Sequence, residues 1–110
     1  MKPKLIWGYS DTEATIDDIK QHVGSGWHVL IEDLIKDLLG LGWDGRVYQV
    51  KEKFSGLRFF IGGGTCEIFD RIREAEKDSF KICENCGKEG SLTDSNWVKT
   101  LCKECNKWKL

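Results

Sequence analysis

The sequence of 110 residues lacks the features that mark several large classes of protein. It has no apolar run near the ~20 residues that a transmembrane helix needs, and no signal peptide follows Met1. Its 17 basic and 18 acidic residues nearly cancel, which excludes a histone-like protein that binds nucleic acid through bulk charge. We therefore expect a cytoplasmic protein with no membrane partner.

Patterns typical of enzymes are also missing. His28 and Glu32 are four residues apart, but no second histidine completes a His-Glu-x-x-His motif. Three glycines at 62–64 precede Thr65 without the Gly-Lys-Ser/Thr ending of a phosphate-binding loop, and a tight strand-to-helix connection explains them. No serine or cysteine nucleophile motif is present. We predict that the protein is not an enzyme.

The balanced net charge hides an uneven distribution along the chain. Residues 1–45 sum to −4, residues 46–80 to +1 and residues 81–110 to +2. A split of this kind can present an acidic and a basic face to different partners, although any solvated surface also needs mixed charge.

Apolar spacing predicts an α+β core over residues 1–80, with a β-hairpin or small antiparallel sheet packed on two or three helices. Residues 1–10 are expected to form an edge strand or an irregular arm. The predicted helices are 12–23 with Ser10 or Asp11 as its cap, 27–39, and 65–79 with Thr65 as its cap and Ile68, Phe69, Ile72 and Ala75 buried.

Two strand-like runs on either side of Ser55-Gly56 predict a β-hairpin over residues 46–62. A two-residue turn at Ser55-Gly56 would pair Phe54 with Leu57. In this register the apolar face carries Tyr48, Val50, Glu52, Phe54, Leu57, Phe59 and Ile61.

The opposite hairpin face is the best candidate binding surface. Basic side chains beside an aromatic ring suit phosphates and stacked bases, and they suit an acidic protein surface equally well. Alternatively, the lysines protect an exposed strand against edge-to-edge pairing. The candidate binding residues are Lys51, Lys53, Arg58 and Phe60, with Gln49 beside them.

Four of the five cysteines have the spacing of a zinc site. Cys83 and Cys86 form one Cys-x2-Cys pair, and Cys102 and Cys105 form another after fifteen residues. Four thiolates close the tetrahedral coordination of one structural Zn²⁺, so residues 81–110 are expected to form a four-cysteine, zinc-ribbon-like module. The remaining thiol, Cys66, is expected to be a buried core residue rather than a reactive cysteine.

The hairpin and cysteine motifs occur together in a known family. The chain resembles a family of small phage, prophage and bacterial proteins that have a VKEKFGGLRFY-type hairpin and a CxxCG…TLC zinc module. The motifs that carry the resemblance are VKEKFSGLRFF, the Ala-Glu-Lys helix end, CENCGKEG and Trp97-x2-TLC-x2-C. The resemblance covers residues 27–105, with Ser55 in place of glycine and Cys105 where many members carry histidine. Small zinc-containing phage proteins include inhibitors of host defence, among them anti-CRISPR proteins that act on Cas9.

Two hypotheses follow. The first is a phage-type zinc protein of the bacterial cytoplasm that binds and inhibits a host defence protein such as Cas9. The alternative is a zinc-ribbon regulator that binds nucleic acid through the hairpin face. Four thiolates on one Zn²⁺ add −2 to the lysine-rich C-terminal segment and bring it to about neutral, which favours the first hypothesis.

Overall fold

The computed structural model describes residues 5–53, 55–92 and 100–106. No helix in these segments is long and apolar enough to cross a membrane. The elements of these segments are β1 (Leu5–Trp7), β2 (Thr12–Ala14), α1 (Ile16–Lys20), a 3₁₀ turn (Ser25–Trp27), α2 (His28–Gly40), β3 (Arg46–Lys53), β4 (Gly56–Ile61), α3 (Cys66–Ser79), β5 (Ser91–Leu92), β6 (Thr100–Leu101) and α4 (Lys103–Asn106). The α+β class is confirmed, with a cysteine cluster toward the C-terminus.

The main sheet has four strands in the order β2-β1-β3-β4. The prediction was an antiparallel sheet, but the sheet is mixed. β1 pairs antiparallel with β2 and parallel with β3. β1 is therefore an inner strand and not an edge strand or an irregular arm. Leu5 and its partner Ala14 are both buried, so β1 and β2 each contribute a side chain to the core.

The predicted helix over 12–23 is wrong in its first part. Residues 12–14 form β2, and the helix begins only after Thr15. Thr15 and Asp18 form a capping box, in which each side chain accepts the other residue's backbone N–H. The cap is therefore Thr15 and not Ser10 or Asp11.

The two longer helices agree with the prediction. In α2, the residues at three- and four-residue spacing are fully buried, namely Ile31, Leu34, Ile35 and Leu38. Thr65 caps α3 by accepting the N–H of Ile68 at 3.3 Å. The expected burial of Phe69 is wrong, because its side chain is 37% exposed beside the buried stripe of Ile68, Ile72 and Ala75.

The hairpin forms with the predicted faces but in a different register. Lys53 pairs with Gly56, so the turn lies one residue earlier, and Glu52 rather than Phe54 faces Leu57. Phe54 itself lies outside the described residues. A bulge between Val47 and Gln49 adds one residue to β3. The buried residues of the hairpin are Val47, Val50, Leu57 and Phe59. Tyr48 is 41% exposed and therefore does not lie on the apolar face as predicted.

Side chains of α3 cover the outer edge of β4. The Leu57 N–H donates to Ser79 Oγ at 2.9 Å, and the Phe59 N–H donates to Glu76 Oε2 at 3.2 Å. These bonds satisfy donors that would otherwise be open on an edge strand.

Candidate metal centre

The four predicted ligands lie together. The sulfur atoms of Cys83, Cys86, Cys102 and Cys105 all lie within 4.8 Å of one another, and Cys86 Sγ and Cys102 Sγ are 3.5 Å apart. Tetrahedral zinc with bonds of about 2.3 Å places its sulfur ligands about 3.8 Å from each other. The cluster therefore has the donor type, number and spacing for one such ion.

Tight backbone turns bring each cysteine pair to the cluster. In the first, Gly87 donates its N–H to the Cys83 carbonyl at 2.9 Å and adopts a φ of +83°, which favours glycine. In the second pair, Cys102 follows β6 and Cys105 lies in α4. The backbone N–H of Cys105 donates to Cys102 Sγ at 3.4 Å. Asn85 links the pairs by donating its Nδ2–H to Cys105 Sγ at 3.2 Å.

The thiols of the cluster ionise unequally. Burial opposes ionisation of Cys83, but backbone N–H groups of residues 102, 86 and 85 outweigh it and lower the pKa of that thiol to about 6. The Asn85 amide opposes the shift at Cys105, yet burial and the three neighbouring thiols raise its pKa to about 12. Four thiolates in so small a space would repel one another, and a bound metal ion would compensate their charge.

A turn before α2 holds the first cysteine pair against the core. We call residues 24–27 the GSGW turn. Trp27 in this turn is fully buried. Three hydrogen bonds of 2.9 Å join the turn to the chain around the first cysteine pair: Gly26 N–H to the Glu84 carbonyl, Ser25 Oγ to the Asn85 carbonyl and Trp27 Nε1 to the Ile82 carbonyl.

Two glycines make this close approach feasible. A Cβ atom at Gly24 would lie 2.1 Å from the Glu84 carbonyl oxygen, and one at Gly26 would lie 1.9 Å from the Cys83 carbonyl oxygen. From the sequence alone, Gly24 and Gly26 indicate only a break in the chain before α2. The signal that could have identified them is a Gly-x-Gly pair directly before a helix in a chain with a cysteine cluster to dock.

A second contact joins the cluster to the hairpin turn. Thr100 is fully buried and donates its Oγ1–H to the Ser55 carbonyl at 2.8 Å. Its own carbonyl accepts the Glu84 N–H at 3.0 Å. The cysteine cluster thus contacts the core at two separate places, and the predicted domain boundary at residue 80 stays a prediction.

The candidate binding residues lie together on the two strands of the hairpin, and none of them belongs to the cysteine cluster. Lys51 is directly opposite Arg58, and both side chains are half-buried. Phe60 is 44% exposed opposite Gln49, and Lys53 is exposed at the end of β3.

The expectation that Cys66 is buried is wrong. Its side chain is exposed at the first position of α3. The buried stripe of this helix passes through residues 68, 72 and 75, and a residue two positions before such a stripe points away from it.

Comparisons with protein-family models, curated proteins and solved structures found no match for this chain. The similarity of its motifs to phage and prophage proteins therefore stays a hypothesis. Trp97, which belongs to those motifs, lies outside the described residues.

Proposed function

We propose that this protein is a small zinc protein that acts by binding another protein. The observation that carries the zinc part of the proposal is the set of four cysteine sulfurs within 4.8 Å of one another. Zinc bound by four thiolates has no open position for a reactive water, so its contribution is structural. The ion would fix the first cysteine pair against the GSGW turn and the second against the hairpin turn.

Metal analysis tests the zinc proposal. The purified protein is expected to carry about one zinc per chain. Cys102→Ser should lower zinc content, and Cys66→Ser, an exposed cysteine outside the cluster, should retain it. A strong chelator should lower the melting temperature of the native protein, because metal binding supplies folding free energy. Zinc far below one per chain in the native protein would contradict the proposal.

A protein partner is supported by the distribution of charge along the chain and by the resemblance. Residues 1–45 carry a net charge of −4, and an acidic surface of this kind can complement a basic groove on a protein that handles nucleic acid. The resemblance to phage proteins supports a host defence protein as the partner, with Cas9 as the first candidate.

A pull-down with several purified Cas9 orthologues, paired with a DNA-cleavage assay, tests the partner. The zinc-loaded protein should bind at least one orthologue and reduce its cleavage. Cys102→Ser is the control, because it removes one metal ligand and should therefore bind and inhibit less than the zinc-loaded protein. Neither binding nor inhibition across the set would remove Cas9 as the partner.

A further inference from the structure

One face of the hairpin combines exposed aromatic rings with cations. We call Tyr48, Gln49, Lys51, Arg58 and Phe60 the outer hairpin face. The strand register places Gln49 opposite Phe60 and Lys51 opposite Arg58 in adjacent rows. Tyr48, immediately before Gln49 in the bulge, is 41% exposed, and Phe60 is 44% exposed. The buried side of the same strands carries the core, so this face is the solvent side of the sheet.

The backbone around Tyr48 leaves space for its ring at the surface. A Cβ atom at Gly8 would lie 2.5 Å from the ring, and one at Gly62 would lie 2.6 Å from it. The bulge in β3 moves this tyrosine from the apolar side of the hairpin to the surface. Bulges redirect side chains in this way near binding sites.

The Lys51–Arg58 pair is unfavourable for stability. Like charges directly opposite on neighbouring strands repel each other. Among the described residues, neither side chain has a carboxylate within ion-pairing distance. By contrast, half of the acidic residues in the first 45 are in ion pairs, namely Asp11, Asp17, Glu32 and Asp37.

Protection of a strand edge does not explain these cations. β3, which carries Lys51, is an inner strand between β1 and β4. The outer edge of β4, which carries Arg58, is already covered by Ser79 and Glu76 of α3. The repulsion between the two cations therefore points to an anionic ligand rather than to protection against strand pairing.

We propose that the outer hairpin face binds single-stranded nucleic acid. Phe60 and Tyr48 offer ring faces for unpaired bases, and Lys51 and Arg58 neutralise phosphates beside them. Adjacent rows on a strand are about 7 Å apart, comparable to the separation between a base and the phosphate of its own nucleotide. Gln49 follows Tyr48 in β3 and lies opposite Phe60, and its amide can donate to and accept from a base edge. In a duplex the bases are stacked on one another and their faces are not accessible. This proposal is independent of the protein partner.

Fluorescence anisotropy with a labelled oligothymidylate of about 15 nucleotides tests the proposal, because single-strand sites of this kind span up to about 16 nucleotides. The zinc-loaded full chain should bind it more tightly than a duplex of the same length. Phe60→Ala should weaken binding about 5-fold to 150-fold, the range measured for losing one stacked base. Phe69→Ala is the matched control, because it removes a similarly exposed ring from α3.

The salt dependence tests the cations separately. Between about 50 and 200 mM salt, replacing both Lys51 and Arg58 with alanine should reduce the slope of log K against log salt by about 1.4, which corresponds to two phosphate contacts on a single strand. Lys36→Ala, at an exposed position of α2, should leave the slope unchanged.

Several results would overturn the proposal. One is the absence of any anisotropy change at a protein concentration of about 100 µM in low salt, where even non-specific binding is detectable. Others are equal losses for Phe60→Ala and Phe69→Ala, or duplex binding as tight as single-strand binding. Binding of a polyglutamate peptide without binding of the oligonucleotide would instead assign this face to an acidic protein.

Discussion

Replacing Gly26 with alanine should separate the first cysteine pair from the start of α2. The added Cβ would lie 1.9 Å from the Cys83 carbonyl oxygen, 2.6 Å from the Gly87 nitrogen and 2.7 Å from the Glu84 carbonyl carbon. All three neighbours are backbone atoms, so no flexible side chain can move away to make room. The GSGW turn and the first cysteine pair must therefore move apart.

The cost follows from the contacts that this separation breaks. Three hydrogen bonds join the GSGW turn to residues 82–85, and each contributes about 1 kcal/mol to the free energy of unfolding. Their loss amounts to about 3 kcal/mol, which corresponds to a fall in melting temperature of about 12–24 °C for a domain near this size. If the contact also stabilises the arrangement of the thiolates, zinc affinity should fall by up to about 100-fold.

Thermal melts and a competition titration of zinc against a chromophoric chelator measure both effects. Gly40→Ala is the matched control, since a Cβ there meets no atom within 4 Å and the position ends α2. Alanine at that position should be neutral or stabilise the protein by up to about 1 kcal/mol. If the two variants melt at the same temperature and bind zinc equally, the close approach at Gly26 does not contribute to stability.

Two further substitutions test one buried hydrogen bond and one ion pair. Ser79→Ala leaves the buried Leu57 N–H without its acceptor and should reduce the free energy of unfolding by about 1–3 kcal/mol. A urea titration measures this loss. An unchanged midpoint would contradict the role of Ser79 in covering the outer edge of β4. Lys20 donates a hydrogen bond to Glu32 and holds the pKa of that carboxyl below its ordinary value of 4.5. The ion pair therefore stabilises the fold above pH 4.5 and loses this effect as the pH falls through the lowered pKa of Glu32. Glu32→Gln should melt below the native protein at neutral pH, and the difference should vanish in acid; a difference independent of pH would refute this account.

Features set by local sequence were predictable. The apolar spacing of α2 and the Thr65 cap of α3 depend on residues within four positions of one another, and both agree with the structure. The cysteine cluster was predictable because two short Cys-x2-Cys turns carry their own geometry, whatever the fold between them.

The hairpin register was not predictable from local sequence. Gly56 suggested a turn, but it lies at the start of β4, where a Cβ would be 2.5 Å from the Phe80 ring. The positive φ of the turn, +70°, belongs to Ser55 instead, and the carbonyl of this residue is held by the distant Thr100. Both causes are contacts across the fold, and no pattern within the hairpin contains them.

The order of strands in the main sheet has a consequence for synthesis on the ribosome. β1 emerges with only β2 as its partner, and a two-stranded ribbon of this length is marginal in water. Its parallel partner β3 follows only after residues 8–45 have been made. Cys102 and Cys105 are translated after all four strands of this sheet, so the complete set of ligands becomes available to a chain whose core can already have assembled. Metal binding would then complete the fold rather than nucleate it.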